Sequence, residues 1–459
     1  VTTHIENPEL PSVKVHVTDE STPARKGWIN CHIGEHLQFS ADSLASYFFA
    51  KWEPVVFDAL LLAAAVEFCD KSKKRPKLGW GRKIHLRLPV HDPHWWNQGS
   101  VSSALKRALE FLTGDCWHVE FSKRKKVEPS PRQGLFELPV ASSVAVIPFS
   151  EGLDSRAVSA LMGKKYGKGL IRVRLGKKVN DRPVDSDGRP LPFTNVPYKV
   201  HAGQNNESSA RSRGFKFALL SGIAAYLANV QKIIVPESGQ GALGPTLVTV
   251  GQSYDDFRNH PAFTVQMEEF LNALLGTSLK FEFPRLWFTK GQTLKEYIDL
   301  GDSREWVTTR SCWQDNRHAS IEGERRQCGI CAACMLRRLS VHAAGQTEAE
   351  GTYVWNNLSA FTFEAGAAKG LKKIEKVQRE YAIAGTLHLD HLAGLRDSPA
   401  YAFGLKTSAR LVSRAMKISP SDAEANLSTL LGQHTKEWNA FMNSLGPDSF
   451  VKQWTERKQ

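Results

Sequence analysis

At 459 residues the chain is too long for one ordinary hydrophobic core, and domain sizes of about 100–200 residues predict two or three domains. Its 41% hydrophobic and 23% charged residues are those of a globular protein, and no run approaches the roughly 18 apolar residues of a membrane span, so no membrane partner is expected. The formal net charge of +13 favours anionic partners such as nucleotides, nucleic acid or an acidic protein face, with plain solubility as the alternative.

Val1–Leu10 is acidic and polar where a secretory leader needs a basic start and an apolar run, so a cytoplasmic location is expected. Residues 1–138 read as an α+β module. Alternating strands are predicted at Val13–Val17 and Ile84–Leu88, and helices at about Asp58–Phe68 and Val101–Leu112. The apolar stretch Ala59–Val66 predicts a buried helix. Two basic clusters, at Lys71–Lys77 and Lys123–Lys126, read as solvated loops before phosphate sites. Trp80, Trp95, Trp96 and Trp117 read as core or interface residues before base-stacking ones. Glu128-Pro129-Ser130-Pro131 marks the boundary.

From Val144 the pattern becomes strand (Val144–Phe149), helix (about Ser155–Tyr166), strand (Leu170–Leu175), long helix (about Ser209–Leu227) and strand (Lys232–Val235). That alternation predicts a parallel sheet flanked by helices. Residues 139–345 are expected to form this second, α/β domain. The polar stretch 179–206, with Asp185-Ser186-Asp187-Gly188, reads either as an active-site lid or as an insertion. Residues 346–459 are expected to be a helical extension, with helical apolar spacing from Trp438 to Trp454.

Ser150-Glu151-Gly152-Leu153-Asp154-Ser155 follows an apolar strand and opens a helix, where backbone N–H groups and a helix N-terminus can bind phosphate. Gly152 permits close approach, Ser150 and Ser155 offer hydroxyls, and Asp154 can cap the helix or help hold magnesium. A capped strand–helix turn is the plain alternative. No Gly-Lys-Ser/Thr sequence follows, which excludes a Walker-type loop. Cys312, Cys328, Cys331 and Cys334 are four of only seven cysteines, too few for a disulfide scaffold. Their short spacing suits tetrahedral zinc, with Gly329 turning the knuckle, and an iron–sulfur cluster or four unrelated buried thiols are the alternatives. Four thiolates leave no open position, so the expected role is structural.

The hexapeptide resembles the PP-loop signature, whose families split ATP between the α and β phosphates, with Glu151 where glycine is usual. Together with Thr289-Lys290-Gly291, the cysteine cluster and Arg337, it resembles the QueC family over about Val144–Ala343. The layout, with foreign segments on both sides, resembles the enlarged QueC-like proteins of antiphage defence, of the QatC type. The resemblance implies ATP, Mg2+ and Zn2+, adenylation of 7-carboxy-7-deazaguanine, and transfer of the acyl group to the N-terminal amine of a partner protein. The alternatives are a 7-cyano-7-deazaguanine synthase using ammonia, a PP-loop protein that modifies or binds tRNA, and a scaffold in which Glu151 has disabled catalysis.

By the same resemblance, Arg211 and Arg213, in Glu207–Arg213, stand where the family contacts nucleotide and substrate; a capped basic helix is the alternative. Glu237 and Gly239 follow a strand at its carboxyl end, where open α/β sheets bind ligands, and with Lys290 are the expected substrate contacts. Glu237 can accept hydrogen bonds from a guanine-like edge, or sit in a plain turn. His260 reads as structural.

Overall fold

The computed structural model describes residues 10–455 other than 20–22, 43, 45–52, 77–78, 126–142, 177–181, 186, 204–206, 252–253, 302, 315–319, 372 and 400–401. The expected linker Glu128–Pro131, and Lys77, Lys126 and Ser186 of the expected basic clusters and loop, lie outside the described residues.

The chain folds into two compact units that interleave along the sequence. Val1–Pro148, Lys168–Ile234 and Asp256–Glu282 form one, and Phe149–Gly167, Val235–Asp255 and Phe283–Gln459 the other. These limits differ from the segment boundaries expected near 138 and 345, because apolar surface from distant parts of the chain is buried in shared cores.

The first unit holds β1 (Ser12–Thr18), β2 (Ile29–His32), β3 (Leu37–Phe39), β4 (Lys83–Val90), β5 (Cys116–Lys123), β6 (Ala145–Pro148), β7 (Leu170–Leu175), β8 (Phe193–Val196), β9 (Tyr198–Val200), β10 (Lys232–Ile234) and β11 (Lys280–Glu282). One sheet has the order β2-β1-β4-β5 and another β11-β10-β6-β7-β8. All neighbours in both are parallel. β3 pairs antiparallel with β9, Leu37 opposite Val200. The parallel pair β4–β5 is joined by a helical crossover, whereas no helix among the described residues separates β1 from β2 or β7 from β8. Helix Pro54–Ser72 lies between β3 and β4, and helix Gly99–Thr113 between β4 and β5.

Helix Pro54–Ser72 is buried continuously from Val56 to Asp70, which explains why Ala59–Val66 reads as apolar on every side. It shares a single hydrophobic cluster with Val15, Leu86, Val146, Ile171, Phe215 and Phe270, so the N-terminal strands and the β6–β7 sheet have one core. The charges this helix buries are paired. Asp70 accepts from the Arg82 guanidinium at 2.7 Å and from the backbone N–H groups of Arg211 and Ser212 at 2.7 and 2.8 Å. Glu67 lies between Lys71 and Lys216 and accepts from the Tyr198 hydroxyl.

The second unit contains helices Leu153–Tyr166, Lys290–Ile298 and Ala332–Ala343. The expected helical C-terminal region follows as Lys376–Gly394, Ala402–Met416, Pro420–Ser444 and Phe450–Thr455. Helix Pro420–Ser444 begins with a Ser419 side-chain cap and Pro420 in its first turn, the signals that start helices. Its buried stripe, including Leu427, Leu430, Leu431, Trp438 and Phe441, joins the unit's cores. The whole is a mixed α/β fold with parallel sheets and a helical C-terminal region. No helix among the described residues is long and apolar enough to cross a membrane.

Candidate functional site

The expected strand–loop–helix runs β6, Phe149–Gly152, helix Leu153–Tyr166. Gly152 is the N-cap, at φ −71° and ψ 150°. The two serine hydroxyls brace the loop from inside. Ser155 Oγ accepts from the Ser150 N–H at 2.8 Å, and Ser150 Oγ from the Gly152 N–H at 3.2 Å. The Glu151 carbonyl accepts from the Arg310 N–H at 2.8 Å. Among the described non-glycine residues only Asn229, Glu322 and Lys417 have positive φ, so Glu151 takes the usual glycine position without left-handed strain. Leu153 anchors the helix start in a cluster with Ala157, Leu294, Tyr297, Trp306 and Val341.

Asp154 and Lys290, each under 10% exposed, form a buried ion pair through Oδ2 and Nζ. Lys290 is presented by the first turn of its helix, fixed by a capping box in which the Thr289 hydroxyl accepts from the Gln292 N–H at 3.1 Å. Glu237 faces the same pair. Burial, then the negative charge of Asp154, push its carboxyl well above the usual range, with Lys290 opposing. Burial alone would pull the Lys290 ammonium down, but Asp154 and Glu237 together hold it above its ordinary value. Asp154 Oδ1 is buried and accepts no amide or ammonium hydrogen bond among the described residues; a protonated Glu237 is the neighbour able to donate to it. Two carboxyl groups and one ammonium thus share a buried site at the head of a helix, and carboxylate oxygens are the ligand type that Mg2+ takes.

The turn 237–241 is built for this arrangement. A Cβ at Gly241 would strike the Glu237 carboxylate. The Gly239 N–H donates to the Phe288 carbonyl at 2.9 Å. Gln240 bridges, its carbonyl accepting the Lys290 N–H at 2.8 Å and its amide 2.7 Å from His434 Nδ1. The Thr289 hydroxyl donates to Glu437 at 2.6 Å. His434, Glu437 and Gln240 were not legible as site supports, since about 150–200 positions separate the partners. The one readable signal was a His and a Glu inside the apolar stripe of a helix.

Arg211 and Arg213 belong to the other unit. Arg211 is 7% exposed, pairs with Asp256 at 3.3 Å and lies over the Trp80 ring at 5.0 Å. Arg213 lies 5.4 Å from the Phe217 ring centre. Glu207 accepts from the Arg75 and Ser209 N–H groups at 2.6 and 2.7 Å, ahead of helix Arg213–Leu227, whose N-cap Ser212 makes no side-chain cap. His260 is structural, capping helix Pro261–Leu275 by accepting the Ala262 N–H, and burial holds it at about 4.

The four cysteine sulfurs lie within 4.8 Å of one another, with Cys328 and Cys334 sulfurs 3.7 Å apart. A tetrahedron of Zn–S bonds of about 2.3 Å has edges of about 3.8 Å, so the set fits one such ion. Backbone N–H groups of Cys328 and Cys331 point at the sulfurs of Cys312 and Cys328, at 3.2 and 3.3 Å. Gly329 turns the knuckle at φ +85°, and a Cβ there would meet the Trp355 carbonyl at 2.7 Å. These thiols can hold a metal such as zinc, which would supply a structural crosslink.

Fold and site therefore define a mixed α/β protein with a phosphate-loop-like turn, a buried Asp–Lys–Glu group and a four-thiol metal site. The family model described as queuosine biosynthesis protein QueC matches residues 241–345, a span that includes Lys290 and all four cysteines, so the chain is similar to that family there. No curated protein matches the chain.

Proposed function

We propose that this protein is an ATP-dependent PP-loop enzyme of 7-deazaguanine chemistry. It adenylates the carboxylate of 7-carboxy-7-deazaguanine and passes the acyl group to the N-terminal amine of a partner protein, in the cytoplasm, as part of antiphage defence. The observation that carries the reading is the buried grouping of Asp154, Glu237 and Lys290 at the head of the Leu153 helix. The match of 241–345 to QueC supports its substrate class.

In this reading a carboxylate oxygen of the substrate bonds to the α-phosphorus of ATP, the bond to the bridging oxygen breaks, and pyrophosphate leaves. The helix N-terminus and the braced loop Ser150–Ser155 are donors prearranged for that charge. Lys290 adds a cation that need only exchange Asp154 for phosphate. Asp154 Oδ1 would hold Mg2+, which supplies charge neutralisation on the phosphates. The amine nitrogen then bonds to the acyl carbon, AMP leaves, and the amine proton passes to solvent. An N-terminal amine, with an unperturbed pKa near 8 against about 10.4 for lysine, keeps a useful neutral fraction of about a tenth near pH 7 without a strong base.

The test is mass spectrometry of products formed by the purified protein from ATP, Mg2+, 7-carboxy-7-deazaguanine and ammonium. AMP and pyrophosphate without a nitrile are expected. A nitrile product would replace the acyl-transfer reading with biosynthesis, and absence of ATP cleavage would reject adenylation of this substrate.

A further inference from the structure

The C-terminal region carries a row of cations that the proposed chemistry does not use. From Ser398 to Ser421 the chain has Lys406, Arg410, Arg414 and Lys417 and no carboxylate. Helix Ala402–Met416 turns about 100° per residue, so Phe403, Lys406, Arg410 and Arg414 fall within an arc of about 80°. They follow one another at steps of roughly 4.5–6 Å along the axis, and Lys417 extends the row just past the helix end. All five side chains are exposed, Phe403 by 80%. The ion pairs of the C-terminal helices join other residues, Lys376 with Glu380, Arg379 with Glu364 and Arg396 with Asp397. None of the four cations in the row has one among the described residues, although Asp422 and Glu424 lie near the start of the next helix.

The opposite face of the helix limits what this row can meet. Leu405, Ala409, Val412 and Met416 pack into the core around Leu427 and Leu430. With that apolar face occupied, the helix has no free apolar side to lay into a lipid surface. What remains is a straight row of positive charge with an aromatic ring at one end. An acidic peptide would neutralise the cations but leave the ring without a planar partner. A single strand of nucleic acid presents both complements, phosphates in succession and base faces that stack on aromatic side chains. Two of the cations are arginines, whose planar fork matches phosphate oxygens.

We propose that this helix face binds single-stranded nucleic acid, with phosphates along Lys406, Arg410, Arg414 and Lys417 and a base on Phe403. Contacts to phosphates and base faces read neither the sugar nor the sequence, so RNA and DNA strands bind alike. The formal net charge of +13 attracts the same polyanion at longer range. The proposal is independent of the adenylation chemistry.

Fluorescence anisotropy of the full-length protein with labelled oligo(U) and oligo(dT) of about 20 nucleotides, from about 50 to 300 mM salt, is the test. Both strands should bind at the lowest salt with Kd of roughly 10 μM or tighter. Lys406→Gln, Arg410→Gln and Arg414→Gln combined should weaken binding at least about tenfold and lower the slope of log K against log salt by about 2, each phosphate contact contributing about 0.7. Phe403→Ala should weaken binding at least about fivefold and leave that slope unchanged. A control combining Lys14→Gln, Lys26→Gln and Lys83→Gln, exposed lysines of the other unit, removes equal charge and should bind nearly as the parent does. If the stripe triple variant fails to melt cooperatively, its three single substitutions decide, each lowering the slope by about 0.7. Absence of binding by either strand, equal weakening by the stripe and control variants, or full affinity in Phe403→Ala would overturn the proposal. Stripe-dependent binding of polyglutamate in place of the oligonucleotides would overturn it as well.

Discussion

Lys290 is the residue on which the Asp–Lys–Glu group depends, because it is the buried cation beside two buried carboxyl groups. Removing one partner of a buried ion pair is costly, so Lys290→Met should destabilise the protein by about 3–5 kcal/mol. Asp154→Asn in the same background should recover part of that loss, and a double-mutant cycle in denaturant measures the coupling. Asp154→Asn alone should keep the fold and slow ATP–pyrophosphate exchange on the order of 100-fold; wild-type exchange would remove Asp154 from the chemistry. Ser150–Ser155 and Glu237 could be picked out in the sequence because a strand–turn–helix pattern and the carboxyl end of a strand are local features, whereas Lys290 stood out only through the resemblance to the QueC family. What local pattern did not disclose is that Glu237 turns onto Asp154 and Lys290, since that depends on Gly241 leaving room and on Gln240 tying two segments together.

Three other buried residues set a pH response. His260, His388 and His434 are each held at about 4, against an ordinary 6.5, because burial disfavours the charged imidazole. The unfolded chain therefore binds more protons than the folded one between pH 6.5 and 4. Stability conferred by keeping these groups neutral is present above pH 6.5 and lost as pH falls through that window, by at most about 3 kcal/mol each. Melting temperatures across pH 4 to 7 should show this fall. His434→Gln should lower the melting point near pH 7 yet flatten its slope with pH, and an unchanged slope would assign the acid sensitivity elsewhere.

At the scale of elements, the cysteine knuckle is joined to the loop Phe149–Gly152 through a short run of chain. Ser311 N–H donates to Gln327 at 2.8 Å, and Arg337, on the helix that carries Cys334, donates to the Thr309 hydroxyl at 2.6 Å. Between them the Arg310 N–H holds the Glu151 carbonyl. Cys328→Ser should therefore lose bound metal by elemental analysis and lower the melting temperature on the order of 10 °C or more. It should also weaken ATP binding, because the loop loses its outer support. Full stability and nucleotide affinity in that variant would separate the two elements. The cysteine spacing gave the thiol set from sequence, since four ligands within 23 positions need little tertiary help. The link to Glu151 has no sequence signature, being made by backbone atoms about 160 residues apart.

For the whole molecule, the C-terminal helices are structural partners of the site, since His434 and Glu437 hold Gln240 and Thr289. A chain ending at residue 345 lacks Trp355, Leu430 and Trp438, so it should expose their apolar partners Leu243, Leu286, Met335 and Leu339 and be recovered aggregated. Soluble, cooperatively melting protein from that chain would show that the preceding residues fold unaided.

By itself the sequence determined the mixed α/β class, the helical C-terminal region, the strand–turn–helix at Ser150–Ser155 and the four-thiol set. All of these rest on period, caps and short spacings, which are fixed within a few turns of chain. The tertiary structure decided the rest: how the chain interleaves into two compact units, the single core shared by the N-terminal strands and the β6–β7 sheet, and the burial of Asp154, Glu237 and Lys290 together. Such pairings between distant segments are selected by which apolar faces can be buried together and which buried charges can find partners, and no local stretch of residues specifies either.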